Sequence, residues 1–535
     1  MRGEDVPLFR CAPVGMLTPM TRLASIACLS FLAACGGTSP AALVDASADA
    51  NADASTDAGT DASDASTDAA TPRYAMPSCD APAFVGSPLG TRCGHFVDAE
   101  GRVRFLLGVN ARVEGLFDVS FDDGRLPLEP IPSFDGSDAA RMHELGFGVL
   151  RLPLNWSGLE PEDHDPPAYD AAYLDRIAEV VALCRDAGVL VLLDLHQDAY
   201  SKEIGEDGAP YWAIAPTPSA RLGGPLDDLG ARRQSADVLA ASASFFGDAE
   251  PGPTLRARFS AMVSALTQRF LGDEGVLGIE VYNEPVANDA EVARLNEQVA
   301  AAIRAVDATR LVFFEPPVLP RNFTDQSARP DAPFPTPGAV YAPHVYTLAF
   351  FGSDAQREGM SLEGLRKGNR TARSEAEGFG TPLFVGEFGY DPAGIRAADW
   401  YAFERDLQDE YLASGAVWVW KERSQGSWGL FDYDEGTGTW SERPSAVAMV
   451  SRPRVVAVAG WPESYRVLDG KIDLTFAGDP EVLGPNLMYI PAGWDVLARC
   501  DGATVDVGTA SATGFREVVC GGAGTHRLEV GPSAP

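Results

Sequence analysis

The chain has 535 residues, of which 45% are hydrophobic and 9% aromatic, so it is long enough for one large globular domain and a smaller one. Its formal net charge of −34 at pH 7 excludes nucleic acid and anionic membrane surfaces as expected partners, because both would repel the chain. The sequence contains no Cys-x-x-Cys pair or cysteine–histidine cluster that would predict structural zinc. We expect a monomer without cofactor or metal.

The amino-terminal region predicts export. Arg22 precedes an apolar run at 23–34 that ends at Cys35, which is the pattern of a signal segment too short to span a bilayer. The surrounding residues resemble a bacterial lipobox, in which the cysteine becomes the acylated first residue of the mature chain. We therefore expect residues 1–35 to be the export signal of a lipoprotein held at the cell envelope or released outside the cell; a cleaved signal without acylation is the alternative. Residues 36–72, mostly Ala, Asp, Ser and Thr, predict a flexible linker.

The cysteine spacing agrees with an oxidising compartment. Cys79 with Cys93, and Cys500 with Cys520, flank short segments and are predicted to form two local disulfides. Cys184 falls on the apolar side of a helical pattern, so we interpret it as a small core residue and not as a nucleophile.

The middle of the chain alternates short apolar runs with helical patterns, which is typical of a parallel sheet built from βα units. The helical patterns cover 173–187, which ends at Gly188, 255–271 and 292–306. Eight strands close a barrel, so the sequence predicts a (β/α)8 barrel at 73–446, with an open doubly wound sheet as the alternative. The predicted strands are residues 105–110, 149–154, 189–195, 277–283, 311–315, 340–344, 383–387 and 417–421.

The last part of the chain has a different pattern, with short β-rich segments separated by Gly, Pro and Asp. It predicts a small antiparallel β-sandwich at 447–535. We expect this domain to pack against the barrel as a structural unit, and sugar or lipid binding is the alternative. Its predicted strands are residues 455–459, 471–476, 487–490, 504–507 and 527–530.

Two of the predicted barrel strands deliver a glutamate to the same end of the barrel. Glu284 follows strand 277–283, where Pro285 stops the ladder, and Glu387 ends strand 383–387. Active sites of such barrels lie at the carboxyl ends of the strands, and glycoside hydrolysis requires a pair of carboxyl groups. One such glutamate alone would be interpreted as a salt-bridged structural residue, whereas the pair predicts catalysis.

Several strand-end motifs together resemble glycoside hydrolase family 5. They are Arg151, Asn-Glu-Pro at 283–285, His344 with Tyr346, Gly-Glu-Phe-Gly at 386–389, and Trp418 with Trp420. Within that family, residues 194–201 and 208–213 resemble the endoglycoceramidase branch, whose members cleave between the oligosaccharide and the ceramide of glycosphingolipids. The resemblance implies a glycolipid or oligosaccharide substrate. The alternatives are a β-glucanase or β-glucosidase acting on soluble glycans, and a surface carbohydrate-binding protein without catalysis.

The resemblance also implies a retaining double displacement, with Glu284 as acid/base and Glu387 as nucleophile. The charge of Glu387 is expected to keep Glu284 protonated in the free enzyme. Asn283 is expected to bond the sugar 2-hydroxyl. The donors that keep Glu387 ionised are expected among three residues, Arg151, His344 and Tyr346.

The remaining candidate site residues are expected to bind the sugar. His196 and Asp198 would bond hydroxyl groups, and Trp420 would stack on a sugar ring at the cleavage point. Core packing is the alternative for Trp420, and the same alternative applies to Trp418. The alternative for His196 is that it binds a metal ion together with Asp194. The sequence has no His-x-His motif that would complete such a site.

Other features bear on the substrate. Glu114 lies near the position where endoglycoceramidases tend to carry a sugar-binding lysine, and Arg112 is the candidate substitute. The polar insertion at 222–248 is a candidate rim or lid. An apolar groove for the lipid is predicted from residues 348–351 with three further aromatic residues, Trp212, Phe245 and Phe246.

Overall fold

The structure is a computed structural model that describes residues 83–318, 330–347, 349, 353–423, 428–508 and 513–533. The predictions for the export signal, Cys35, the linker and Cys79 therefore lie outside the described residues, as do those for Leu348, Phe350 and Phe351. Among the described helices, none has the length and apolar character needed to cross a membrane.

The described strands, numbered in chain order, are β1 (Gly90–Arg92), β2 (His95–Val97), β3 (Val103–Arg104), β4 (Leu107–Asn110), β5 (Val149–Leu154), β6 (Leu190–Leu195), β7 (Val276–Glu280), β8 (Leu311–Phe314), β9 (Ala339–Tyr341), β10 (Phe384–Phe388), β11 (Ser414–Val417), β12 (Phe431–Asp434), β13 (Thr439–Glu442), β14 (Arg454–Val458), β15 (Gly460–Leu468), β16 (Lys471–Gly478), β17 (Asn486–Tyr489), β18 (Val496–Cys500), β19 (Ala503–Val505), β20 (Phe515–Val518) and β21 (Gly524–Pro532).

The described helices are α1 (Gly136–Glu144), α2 (Trp156–Leu159), α3 (Ala171–Ala187), α4 (Leu229–Arg232), α5 (Ala236–Phe246), α6 (Gly252–Arg269), α7 (Asp289–Val306), α8 (Asp354–Glu358), α9 (Glu363–Phe379), α10 (Ala397–Glu410) and α11 (Pro444–Val450), with a short 3₁₀ turn at Tyr211–Ala213.

The eight strands β4 to β11 form one parallel sheet in the order β10-β11-β4-β5-β6-β7-β8-β9. Parallel bridges from Tyr341 to Leu383 and from Val345 to Phe388 join its two edges, so the sheet closes on itself. The predicted (β/α)8 barrel is confirmed. Each of the eight predicted barrel strands is found in the predicted order.

The eighth barrel strand lies earlier in the chain than predicted. The sequence predicts residues 417–421, where aromatic and β-branched side chains are concentrated, whereas β11 covers Ser414–Val417. A Cβ atom on Gly415 would lie 2.9 Å from the carbonyl oxygen of Val385 on β10. Close approach of the two backbones, and not β propensity, therefore decides where this strand lies.

Alternation along the barrel strands divides the interior into an apolar and a polar layer, because side chains two residues apart point to the same face. Val149 and Leu192 are fully buried in an apolar cluster. Two residues further along the same strands, Arg151 and Asp194 are buried polar groups. The polar layer lies toward the carboxyl ends of the strands, where the active site of a barrel is expected.

The three predicted helices are found as α3, α6 and α7, and each begins two or three residues before the predicted start. In α3 and α7, polar capping residues precede the apolar periodicity that the sequence pattern detects. Asp170 accepts the Tyr173 N–H, and Asn288 with Glu291 forms a capping box before α7. As predicted, α3 ends at Gly188, which has a left-handed φ of 81°.

The predicted β-sandwich consists of two antiparallel sheets, β15-β16-β21-β18-β19 and β1-β2-β3-β14-β17-β20. The sequence analysis missed β15, β18 and β20. The first three strands precede the barrel, yet β3 pairs with β14 through Val103 and Val458. The predicted domain boundary at 446/447 assigns β1 to β3 to the barrel domain, although they pair with strands of the sandwich. The sequence could not show this, because an alternating residue pattern carries no information about the partner strand.

The described cysteines agree with the predicted roles. Cys500 and Cys520 form a disulfide, which confirms that pair. Cys93 is disulfide-bonded as well, and its predicted partner Cys79 lies outside the described residues. Cys184 has a free thiol buried in the barrel core.

Candidate active site

Glu284 and Glu387 meet at the carboxyl ends of β7 and β10. The segment that carries Glu284 past the end of β7 stays bonded to β6, since the Asn283 N–H donates to the Leu195 carbonyl. One carboxylate oxygen of each glutamate and a ring nitrogen of His344 lie within 4.8 Å of one another. This agrees with the roughly 5 Å separation of the two carboxyl groups in retaining glycosidases.

Arg151 is fully buried and orients Glu387. Its Nη1 donates to Glu387 Oε1 at 2.6 Å, while Nε and Nη2 bind Glu280 at 2.7 and 3.1 Å. Burial alone would lower the pKa of Arg151, but the surrounding carboxylates, chiefly Asp194 and Glu280, raise it well above its usual value. Tyr346 donates to the other oxygen of Glu387 at 2.8 Å. Each oxygen of Glu387 therefore accepts a hydrogen bond, and the two donors fix the orientation of the carboxyl group.

Glu284 and His344 form a hydrogen-bonded pair at the centre of the site. His344 Nδ1 lies 2.9 Å from Glu284 Oε1 and 3.5 Å from Glu387 Oε2. Burial would raise the pKa of Glu284, but the hydrogen bond and the charge of His344 lower it to about 2. Burial would lower the pKa of His344, but the carboxylates of Glu387 and Glu284 raise it. The lowered pKa of Glu284 is opposite to the expectation that Glu387 keeps Glu284 protonated, because His344 lies between the two carboxylates and lowers that pKa.

The backbone of Glu284 adopts a conformation that is uncommon outside glycine. Its φ is +42°, in the left-handed region that costs a side-chain-bearing residue about 1 kcal/mol or more. Gln197 Nε2 donates to the carbonyl oxygens of Asn283 and Glu284 at 2.8 and 3.1 Å. Glu315 Oε2 accepts the Glu284 N–H at 3.2 Å. These contacts fix the direction in which the Glu284 carboxyl group leaves the chain.

His196 and Asp194 form a second hydrogen-bonded pair in the polar layer. His196 Nδ1 lies 2.6 Å from Asp194 Oδ2. Burial lowers the pKa of His196 to about 4, so the ring is neutral at neutral pH and Nδ1 donates to Asp194. Nε2 is then a hydrogen-bond acceptor for a substrate hydroxyl. This arrangement agrees with the predicted sugar-binding role of His196.

Two further predicted site residues, Asn283 and Asp198, are each held by an arginine. Asn283 Oδ1 accepts from Arg151 Nη2 at 2.8 Å, and one Nδ2 hydrogen binds the Gln197 carbonyl at 3.1 Å, so the other can donate to a sugar hydroxyl. Asp198 accepts from Arg233 Nε at 2.8 Å and also from its Nη2. Arg233 directly follows α4, which places the predicted insertion beside the site.

Trp420 is a core residue and does not face a substrate. It is 1% exposed, its Nε1 donates to Asp138 Oδ1 at 2.9 Å, and its ring packs edge-on against Phe431. The half-buried tryptophan is Trp418, whose ring is stacked on His196 at 6.0 Å with an 11° angle. The predicted stacking role of Trp420 is therefore wrong. β11 ends at Val417, so strand alternation, which would place both tryptophans on one face, no longer applies after it.

We expect Trp418→Ala and Trp420→Ala to have different effects. The first should lower kcat/KM by roughly tenfold, because an aromatic surface for the sugar is lost, with little change in Tm. The second should lower the free energy of unfolding by roughly 3 to 5 kcal/mol, because it leaves a cavity. Thermal unfolding and steady-state kinetics of both variants measure this, and a catalytic loss confined to Trp420→Ala would contradict the assignment.

The family model described as "Cellulase (glycosyl hydrolase family 5)" matches residues 134–424, a range that contains both glutamates and most of the barrel. The chain belongs to glycosyl hydrolase family 5. It is therefore a glycoside hydrolase, and the resemblance noted from its strand-end motifs is confirmed.

The proteins similar to this family 5 enzyme include endoglycoceramidases. Endoglycoceramidase I of Rhodococcus hoagii (strain 103S) is 28% identical over 425 residues, which are 70% of this chain and 81% of that protein. Endoglycoceramidase of Cyanea nozakii is 25% identical over 428 residues, 71% of this chain and 79% of that protein. The structure of endo-glycoceramidase II from Rhodococcus sp., in an iminocyclitol complex, aligns with a TM-score of 0.68 at 25% identity and covers 82% of this chain and 99% of that chain.

Some residues of this family 5 site were not selected from the sequence. Glu280 lies within a strand that reads as an apolar run, Asp194 was considered only as a metal ligand, and Gln197 stood between two selected residues. A buried charge inside an apolar strand costs free energy unless it is paired. The presence of Glu280 and Asp194 in apolar strands could therefore have predicted that each has a buried partner. Glu315 ended a predicted strand but had no assigned partner.

The predicted lipid groove is not formed by the described aromatic residues. Phe245 and Phe246 are each 1% exposed and pack against Tyr282 in the core. Trp212 is partly buried, and its Nε1 donates to the Glu160 carbonyl at 3.1 Å. The prediction for Phe245 and Phe246 is therefore wrong, because α5 turns these side chains toward the barrel.

The candidate substitute for the sugar-binding lysine, Arg112, is also buried. It is 4% exposed and pairs with Glu129 at 2.5 Å and with Glu422 at 3.2 Å. Glu114 is exposed. Arg112 therefore acts as the counterion of an acidic cluster, and its charge is not available to replace the lysine.

Two overlapping groups of side chains lie close enough to hold a metal ion, Glu284-His344-Glu387 and Glu280-Glu315-His344. Arg151 already contacts a member of each group, Glu387 at 2.6 Å and Glu280 at 2.7 Å. A second cation there would be repelled by the guanidinium. Arg151 is therefore already the cationic partner of both groups in this family 5 enzyme.

Proposed function

We propose that this enzyme is a retaining endo-β-glycosidase that hydrolyses the bond between the oligosaccharide and the ceramide of glycosphingolipids. The observation that carries the reaction type is the pair Glu284 and Glu387, with carboxylate oxygens within 4.8 Å. The substrate class is supported by the relatives named endoglycoceramidase, which match 70% and 71% of this chain. The intact pair argues against a carbohydrate-binding protein without catalysis.

In the first step, Glu387 attacks the anomeric carbon and the bond to the ceramide oxygen breaks. Glu284 gives its proton to that oxygen, so ceramide leaves as a neutral alcohol and a glycosyl ester remains on Glu387. Arg151 and Tyr346 hold the two oxygens of Glu387, which presents the carboxylate to the sugar in a fixed orientation.

The proton that Glu284 donates in this step is the one in the hydrogen bond between His344 Nδ1 and Glu284 Oε1. In the free site the ring holds it. A bound substrate excludes water, which disfavours the charged pair and moves the proton to Glu284, leaving both groups neutral. Glu284 is thereby an acid only when a leaving group is in place.

In the second step, Glu284 is ionised and takes a proton from a water molecule. The water oxygen attacks the anomeric carbon, the ester bond to Glu387 breaks, and the sugar leaves with its original β configuration. Two inversions at one carbon therefore give retention.

The test is mass spectrometry of the products from lactosylceramide and from a ganglioside. Intact oligosaccharide and free ceramide are the expected products, and Glu387→Gln serves as the inactive control. Stepwise loss of single sugars from the non-reducing end would overturn the endo assignment. Hydrolysis of soluble β-glucan, with no release from either glycolipid, would keep the reaction type and overturn the substrate.

We further propose that the enzyme is an exported lipoprotein acylated at Cys35. The support is the sequence alone: an apolar run that ends at this cysteine, followed by a linker-like tract at 36–72. A lipid anchor would concentrate the enzyme where glycolipids lie. Cys35→Ser is expected to move the protein from the membrane fraction to the soluble fraction, with unchanged specific activity on an aryl β-lactoside. Continued membrane association of this variant would contradict the proposal.

A further inference from the structure

Glu315 lies directly after β8, at the carboxyl end of the barrel, and is 3% exposed. It is buried behind the residues that the mechanism uses. Oε2 accepts the backbone N–H of Glu284 at 3.2 Å, and Oε1 lies 3.4 Å from His344 Nε2. Glu315 thus contacts both members of the pair that carries the catalytic proton.

The contact with the Glu284 N–H bears on a strained peptide. A φ of +42° at Glu284 persists only when neighbouring groups hold it. The Gln197 side chain binds the carbonyl side of this segment, and Glu315 binds the N–H. Without Glu315 this buried N–H would lose its acceptor, and the backbone could relax toward a common conformation.

The side chain of Glu315 is held in turn by its surroundings. A carboxylate oxygen of Glu280 lies within 4.8 Å of one of Glu315, and Arg151 Nη2 lies 3.5 Å from Glu315 Oε1. Burial first, and then the charge of Glu280, raise the pKa of Glu315 well above its usual value. Asn296 Nδ2 also donates to the Glu315 carbonyl at 3.0 Å, which fixes its backbone.

We propose that Glu315 is a positioning residue for acid/base catalysis, holding the Glu284 backbone and the His344 ring so that the Glu284 carboxyl group points at the leaving oxygen. This inference rests on the proposed retaining mechanism. It does not depend on the lipid nature of the substrate. Glu315 acts through Glu284, so its loss affects the steps in which Glu284 moves a proton.

The test uses a series of aryl β-lactosides whose phenol leaving groups differ in acidity. The most acidic phenols leave without being protonated, and the least acidic ones need a proton from the enzyme. Glu315→Asp withdraws the carboxyl group by one methylene and is expected to lower kcat/KM about tenfold to hundredfold for poor leaving groups. For the dinitrophenyl lactoside the same variant is expected to change kcat/KM by less than about threefold. Glu315→Gln, which keeps a donor and an acceptor in place, is expected to stay near wild type on both.

A matched control is Glu404→Gln, which changes another fully buried glutamate, one bound to Asn369 and Gln408 on the outer helices. It is expected to leave kcat/KM unchanged for every leaving group. An equal loss in Glu315→Asp for all leaving groups, or a loss in Glu315→Gln as large as in Glu315→Asp, would overturn the proposal. If lactosylceramide is not a substrate but aryl lactosides are, the proposed substrate fails while this test still decides the role of Glu315.

Discussion

Glu387→Gln is expected to lower kcat/KM by about 10⁴-fold or more, on glycolipid and aryl lactoside alike. An amide is a far weaker nucleophile than a carboxylate, and removing the attacking group of a covalent mechanism eliminates most of the catalysis. Leaving-group acidity does not help, because the missing group forms the new bond. The measurement is steady-state kinetics with an aryl β-lactoside, with Tm recorded to show that the fold is retained.

Azide distinguishes loss of the nucleophile from general damage. In Glu387→Gly, azide can enter the vacated space and attack the anomeric carbon of an activated substrate, giving the α-glycosyl azide by a single inversion. Glu404→Gln provides a control for changing a buried glutamate elsewhere. Residual activity of Glu387→Gln within tenfold of wild type, or a β-azide product from Glu387→Gly, would contradict the assignment of Glu387.

Glu284→Ala is expected to lower kcat/KM for lactosylceramide by about 10²- to 10⁴-fold, the usual contribution of general acid catalysis. The loss should shrink steadily as the leaving group becomes more acidic and nearly vanish for the dinitrophenyl lactoside, which departs without a proton. For that substrate kcat should still fall, because the second step lacks its base. Steady-state kinetics over a series of aryl lactosides measure both effects.

In Glu284→Ala, azide should give a product of the opposite configuration to the α-glycosyl azide expected from Glu387→Gly. It attacks the glycosyl ester on Glu387 without needing a base, so it should raise kcat for the dinitrophenyl lactoside and give the β-glycosyl azide. Glu284→Gln, which keeps the shape of the side chain, should respond in the same way. A loss that is equal for all leaving groups, or an α-azide product, would show that Glu284 is not the acid/base.

The candidate site shows how far strand-end residues can be predicted. Glu284, Glu387 and Arg151 were found because each ends or interrupts an apolar strand, and the carboxyl ends of barrel strands converge. Trp420 was assigned wrongly, because alternation along a strand applies only while the strand continues, and β11 ends at Val417. The position of a side chain just beyond a strand depends on what packs around it.

The protonation of the site could not be predicted from residue types. From the sequence, His344 was considered only as a donor to Glu387, and repulsion between Glu284 and Glu387 favoured a proton on Glu284. The structure places His344 within reach of both carboxylates, and its hydrogen bond and charge lower the pKa of Glu284. A pKa depends on distances of a few ångströms, which are set by strands far apart in the chain.

The amino-acid sequence by itself determined the order and number of the barrel strands, three of the helices between them, the existence of a β-sandwich and the two candidate catalytic glutamates. These follow from local periodicity and from residues at strand ends, which are short-range properties of the chain. Tertiary structure alone decided that β1 to β3 join the sandwich, that Trp418 and not Trp420 stacks on His196, and that Glu315 accepts the backbone N–H of Glu284. Each of these depends on segments that meet only after the barrel closes, and no local pattern records which distant segment will be the neighbour.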